Sequence, residues 1–207
     1  GVAPMPQSDW ILAVERALPL FLEFQSGTML FKGDELEIRG KAGTSVLEYL
    51  REDLVRTGSD ISVNLTADDT PIALEAFLTA PDTGELPSRE VCQAALDEAL
   101  WLGPINFEYA KDELSRSSGK VLDGVLTVMQ SCPQFIFQVD AATHAQGRRI
   151  ALQKLTSDRQ MAFASYFIAH GVPVDQIELT EVISDGSGVT RSGNLDPDRQ
   201  LTVRIRE

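Results

Sequence analysis

The chain has 207 residues, room for one large domain or two small ones, and its 43% hydrophobic and 24% charged residues are ordinary for a globular protein. Thirty-one acids against 18 bases leave a net charge of −13, which argues against a nucleic-acid partner and against simple electrostatic adhesion to anionic lipid. No window of about 18 uninterrupted apolar residues exists, so no membrane-spanning helix is expected.

The opening "GVAPMPQSDW" has neither a basic head nor an apolar run, so residues 1–9 read as a remnant of a preceding region and not as a signal peptide. From Trp10, "WILAVERALPLFLEF" carries apolar residues at helical spacing until Pro19, which is expected to end or kink the helix. "GTMLF" and "ELEIRG" are two short strands separated by the turn signal "KGDE". "GTSVLEYLREDLVRTG" is a helix with Thr44 or Ser45 as cap, Leu47, Leu50, Leu54 and Val55 on one face, and Gly58 as its stop. "DISVNLT" alternates Ile61, Val63 and Leu65 with polar neighbours, as a half-buried strand does. Residues 10–69 thus predict a small α+β module with one face of its sheet covered.

Residues 70–87 hold three prolines and read as the linker, although "IALEAFL" has the makings of a helical turn. The acidic excess is steepest before it, with 15 acids to 6 bases up to Pro87 and 16 to 12 after. The plain reading of that excess is solubility.

The second module, 88–207, opens on Ser88 as the cap of an amphipathic helix with Val91, Ala95, Leu96, Ala99 and Leu100 inward. "PINFEY" is a predicted strand, "AKDELSRSSG" a polar loop, "KVLDGVLTVMQSC" a helix and "FIFQV" a strand. A long helix follows over "RIALQKLTSDRQMAFASYFIAHG", closing on His170 and Gly171. "IELTEVI" is a strand, "SDGSGVTRSGNLDPD" a Gly-rich loop and "RQLTVRI" a closing strand. The fold class is therefore α+β, two small two-layer α/β sandwiches, the second with βαβαββ order.

Cys92 and Cys132 sit at element edges. Read alone, they are either two unrelated buried thiols or a bridge closing a loop of about 40 residues, worth up to about 4 kcal/mol. A bridge would speak for an oxidising compartment.

The second module resembles the OmpA-like, peptidoglycan-binding domain of Gram-negative envelopes. "CQAALDEAL" ahead of "PINFEYAKDEL" matches that family's first strand and Phe-x5-6-Glu-Leu loop. "VLDGVLTVMQSCP" with "FIFQVDAATHAQG" stands where the family has a helix, a strand and a Gly-His-Thr-Asp-x-x-Gly turn. "LTSDRQMAFASYFIAHGVPVDQI" matches its Leu-Ser-x-x-Arg-Ala helix, and "DPDRQLTVRI" its closing Asn-Arg-Arg-Val-Glu. Some relatives carry a cysteine pair in these two places, so the resemblance implies a Cys92–Cys132 disulfide and a periplasmic home, anchored to the outer or inner membrane through a region outside this chain. The first module resembles a BON-type α+β repeat, on "GDELEIRGKAGTSVLEYLREDL" and "DISVNLT".

The OmpA-like resemblance implies a pocket for the diaminopimelate of peptidoglycan stem peptides, a zwitterion needing a carboxylate for its ammonium and a guanidinium for its carboxylate. Thr143 and Gly147 match the turn, Arg159 falls on the helix arginine, and Arg199 on an arginine of the last strand region, followed by Gln200. His144 takes the place of the acid, Leu152 that of an Asn, and Ala141 and Ala142 that of Gly-His. An imidazole offers no fixed negative charge, and losing one charge-assisted contact costs on the order of 2–4 kcal/mol, roughly 30- to 1000-fold in affinity. Each residue also has a plainer role: Arg159 pairing with Asp158, Asp140 or another acid on the helix surface, His144 as a polar loop residue, Arg199 as structural, and Arg148 with Arg149 as a solvated helix start.

No catalytic motif appears. The two histidines, His144 and His170, form no acid–base pair, no nucleophile elbow is present, and no metal-ligand cluster or cofactor signature is seen. The expected protein is a non-enzymatic envelope protein with peptidoglycan, other envelope proteins, or both as partners. In the rival reading, peptidoglycan binding is lost and both modules serve as an envelope scaffold.

Overall fold

A computed structural model describes residues 7–32, 35–55, 62–81, 84–141, 149–180 and 201–206. The chain divides into two compact units, 1–72 and 73–207. Among the described residues each contains one three-stranded sheet, and six α-helices are distributed between them, so the fold is mixed α+β with two small α/β units.

In the first unit, helix α1 (Gln7–Phe21) precedes strands β1 (Ser26–Lys32) and β2 (Glu35–Ala42), helix α2 (Thr44–Val55) and strand β3 (Ser62–Asp69). Pro19 lies inside α1, which runs two residues beyond it. Close to the C-terminus the missing N–H costs one hydrogen bond, and the Leu22 amide still reaches the Leu18 carbonyl at 3.0 Å. β1 and β2 form an antiparallel hairpin, and α2 makes the crossover to β3, which is parallel to β2. Alternation along the strands puts Met29, Phe31, Leu36, Ile38, Val63 and Leu65 on one face. Ala17, Leu20 and Phe21 of α1 and Leu50 and Leu54 of α2 pack on that face. Gly40 permits the close pairing of β1 with β2: a Cβ there would sit 2.2 Å from the Ser26 carbonyl.

Thr44 begins α2, and its hydroxyl donates to both carboxylate oxygens of Asp69 at 2.9 Å, tying the helix start to the end of β3. Gly58, read as the helix stop, lies outside the described residues.

In the second unit, α3 (Glu75–Thr79) lies within the segment read as a linker. Its first amides, Glu75 N and Ala76 N, donate to the Glu98 carboxylate of α4 (Arg89–Trp101) at 2.9 and 3.2 Å. Ser88 caps α4, accepting from the Val91 amide at 3.4 Å, and Cys92, Ala95, Leu96 and Ala99 are buried. Helix α5 (Gly119–Ser131) is buried from Val121 through Met129. Gly124 lets it approach α4, for a Cβ there would meet that of Ala99 at 3.0 Å. Cys92 and Cys132 form a disulfide, with Cα atoms 6.3 Å apart, joining the start of α4 to the end of α5.

Strand β4 (Phe137–Ala141) is central, flanked by parallel β5 (Ile177–Thr180) and antiparallel β6 (Leu201–Ile205). Phe137, Val139, Leu201, Val203 and Ile205 face the core, while Gln138, Asp140, Thr202 and Arg204 take the other face. Helix α6 (Arg149–Ala169) ends in a Schellman turn: Gly171 has φ 88°, its amide reaches the Ile168 carbonyl at 3.1 Å, and the Val172 amide reaches that of Phe167 at 3.0 Å.

The strand expected over "PINFEY" does not form. Phe107 and Leu114 make one isolated antiparallel bridge, and the segment folds back on its own loop. The Asn106 amide donates to Ser118 Oγ at 2.8 Å, the Ser115 amide to the Asn106 carbonyl at 2.8 Å, and the Glu108 amide to the Glu113 carbonyl at 2.8 Å. These local bonds satisfy backbone groups that a sheet neighbour would otherwise take.

Candidate functional site

The site follows from the inward face of α6. Thr156, Arg159, Gln160, Phe163 and Phe167 recur at helical spacing and are all buried. Four of these are unremarkable on such a face, but a guanidinium at 5% exposure is costly unless its surroundings hold it. They do. Arg159 Nε donates to the Lys111 carbonyl at 2.9 Å, and the guanidinium carbon stands 5.1 Å from the centre of the Phe107 ring. The loop between Phe107 and Leu114 is thus joined to α6 by a cation–π contact and a charged hydrogen bond.

The residue after Arg159 anchors the helix to the sheet. Gln160 Nε2 donates to the carbonyls of Val139, 3.1 Å away, and Thr180, 2.6 Å away. Arg159 therefore sits on a helix whose position against β4 and β5 is fixed one residue away.

The loop itself is tightly turned. Ala110 adopts φ 57°, a left-handed conformation costing a residue with a Cβ roughly 1–2 kcal/mol. The Lys111 amide donates to the Glu108 carbonyl at 3.0 Å, and the Lys111 ammonium pairs with Glu113 at 3.2 Å.

Neither carboxylate offered by the sequence as a helix-surface partner of Arg159 is placed for that role. Asp158 pairs with Lys154 one turn earlier at 2.6 Å. Asp140 lies on the sheet face away from the helices, where it accepts from the Thr180 hydroxyl and pairs with Arg204 at 3.2 Å. Arg159 is turned inward, not outward along the helix surface. Thr143, His144, Gly147 and Arg199 lie outside the described residues, as do Arg148 and Ala142. His170 is part of the close of α6, its Nδ1 lying 2.6 Å from the Tyr166 carbonyl.

Sequence reasoning reached Arg159 but missed what holds it. Phe107 had a signal, the aromatic of the Phe-x5-6-Glu-Leu loop. A backbone carbonyl such as that of Lys111 leaves none. Among the described residues no group of three His, Cys, Asp or Glu side chains is arranged to hold a metal ion, and no helix is long and apolar enough to cross a membrane.

No known protein family's profile and no curated protein matches this sequence. Among solved structures, an outer membrane protein from Borrelia burgdorferi B31 is similar over 51% of this chain and 86% of that one, at 17% identity and a TM-score of 0.41.

Proposed function

We propose that this chain is a non-catalytic cell-envelope protein whose second unit is an OmpA-like domain taking the diaminopimelate of peptidoglycan stem peptides, with weakened affinity. The observation that carries this reading is the buried Arg159 guanidinium, oriented by the Lys111 carbonyl and the Phe107 ring. A guanidinium already fixed in its plane meets a carboxylate without first losing side-chain freedom. The Cys92–Cys132 disulfide supports a periplasmic setting, where thiols are oxidised. His144 in the place of the family's acid leaves the ammonium half of the ligand poorly served. The first unit acts as a BON-like module toward other envelope proteins, and membrane attachment runs through a region outside this chain.

Co-sedimentation with purified peptidoglycan sacculi tests this. Wild type is expected to pellet weakly, Arg159→Lys to pellet less, and His144→Asp to bind roughly 30-fold or more tightly than wild type. Equal retention of all three would sink the reading. The 5% exposure of Arg159 favours one alternative, in which the guanidinium only pins its loop and both units dock other envelope proteins. On that reading sacculi retain nothing, and restoring the acid at 144 has no effect.

A further inference from the structure

A sheet edge presents a row of backbone donors and acceptors to any strand that can reach it, and folded chains shield it with charge, proline, bulges, short strands or a covering group. Among the described residues there are four edge strands, and three are shielded in one of these ways. β3 closes on Asp68 and Asp69. β5 has only four residues. β6 is covered at its end by the Arg89 guanidinium, which donates to the Arg206 carbonyl at 2.9 Å and to the Ile205 carbonyl at 3.3 Å. The fourth, β1, is built differently. It runs for seven residues in unbroken register with β2 and contains neither proline nor acid. Its one charge, Lys32, stands at the last position and is drawn off by Glu37 at 2.6 Å. Leu30, on the face of the sheet away from the helices, is 50% exposed.

The occupant that fits this edge is a second copy of β1 running antiparallel. No acid occurs from Phe24 to Gly33 in a chain with 31 acids and a net charge of −13, so two like-charged copies can approach along this stretch. Antiparallel alignment about Met29 sets Leu30, Phe31 and Lys32 against Thr28, Gly27 and Ser26 of the second copy, in that order, and symmetry repeats each pair. No like charges meet, and an aromatic side chain opposite an edge glycine covers backbone that has no side chain of its own. We infer that the first unit pairs with a second copy of itself through β1, joining two three-stranded sheets into one of six strands. This contact is separate from the peptidoglycan reading, which concerns the second unit.

Analytical ultracentrifugation of the full chain across a dilution series is expected to show a reversible monomer–dimer equilibrium in the micromolar range, since one strand makes a small interface. Dimerisation should tighten as salt screens the net charge. Hydrogen exchange of wild type should slow over Ser26–Lys32 as concentration rises, and not over Ser62–Asp69. Leu30→Lys, whose new ammonium stands opposite Glu37 within its own sheet, should raise the dissociation constant roughly 10-fold, about threefold for each of the two symmetry-related pairs. Thr66→Lys, on the same face but on the shielded edge β3, should leave it unchanged. A monomer at every concentration overturns the inference. So does a dimer that leaves exchange over β1 unchanged, or that responds no more to Leu30→Lys than to Thr66→Lys.

Discussion

Truncating Arg159 does two opposite things, because its charge is buried at 5% exposure while its Nε serves a carbonyl and its face covers a ring. Loss of the charge removes a desolvation penalty; loss of the contacts orphans the Lys111 carbonyl and unpacks Phe107. The second effect should win by about 1–3 kcal/mol, so urea unfolding of Arg159→Ala is expected to show that loss. Arg159→Lys should recover little, since an ammonium cannot stack its plane on the ring and donate sideways at once. Glu37 gives a pH-dependent counterpart in the first unit. Its carboxyl, 10% exposed on the open face of the sheet, is held below the usual carboxylate range by a hydrogen bond from Lys32, helped by Arg39 and opposed by burial. A lowered folded value means stability that is present above the ordinary carboxylate range and lost as pH falls through the lowered one. Acid titration of unfolding should therefore cost wild type more than Glu37→Gln, and identical pH profiles would contradict the assignment.

Between neighbouring elements, short pieces depend on borrowed partners. Helix α3 has five residues, too few to stand alone, and its first two amides rest on Glu98 of α4. Glu98→Ala is expected to raise amide exchange across Glu75–Thr79 while α4 stays protected, as hydrogen exchange with mass spectrometry would read; unchanged exchange would show that packing of the buried Leu74 suffices. The same dependence explains what the sequence could and could not reveal. Alternation over β2 and β3, the Ser88 cap and the Gly171 stop rest on local chemistry, and all three could be read from residue order. "PINFEY" also has strand-forming residues, yet Ser118 and Glu113 capture its backbone groups, a competition that its own composition does not show. At the site, Arg159 was legible as a residue type in a helix pattern. Its inward turn depended on which face of α6 meets β4, and its partner was a carbonyl. Asp140 was one of the acids that the sequence offered as a partner of Arg159, but strand alternation sends it to the opposite face.

At the scale of the whole chain, each unit has a core of its own, and the disulfide lies entirely in the second. Residues 1–72 bury Leu36, Ile38 and Leu50 without any contribution from a cross-link, whereas the second unit ties α4 to α5 across 40 residues. In the chain-entropy account a loop of that length confers up to about 4 kcal/mol, by narrowing the unfolded ensemble of the unit that contains it. Reduction should therefore act on one unit and spare the other. Scanning calorimetry is expected to resolve two transitions, with reductant lowering one of them by on the order of 10 °C and leaving the other in place. The Cys92→Ala, Cys132→Ala double variant should reproduce the reduced profile without reductant. A single transition that moves as one under reduction would mean that the two cores unfold cooperatively, and the disulfide would then stabilise the first unit as well as its own.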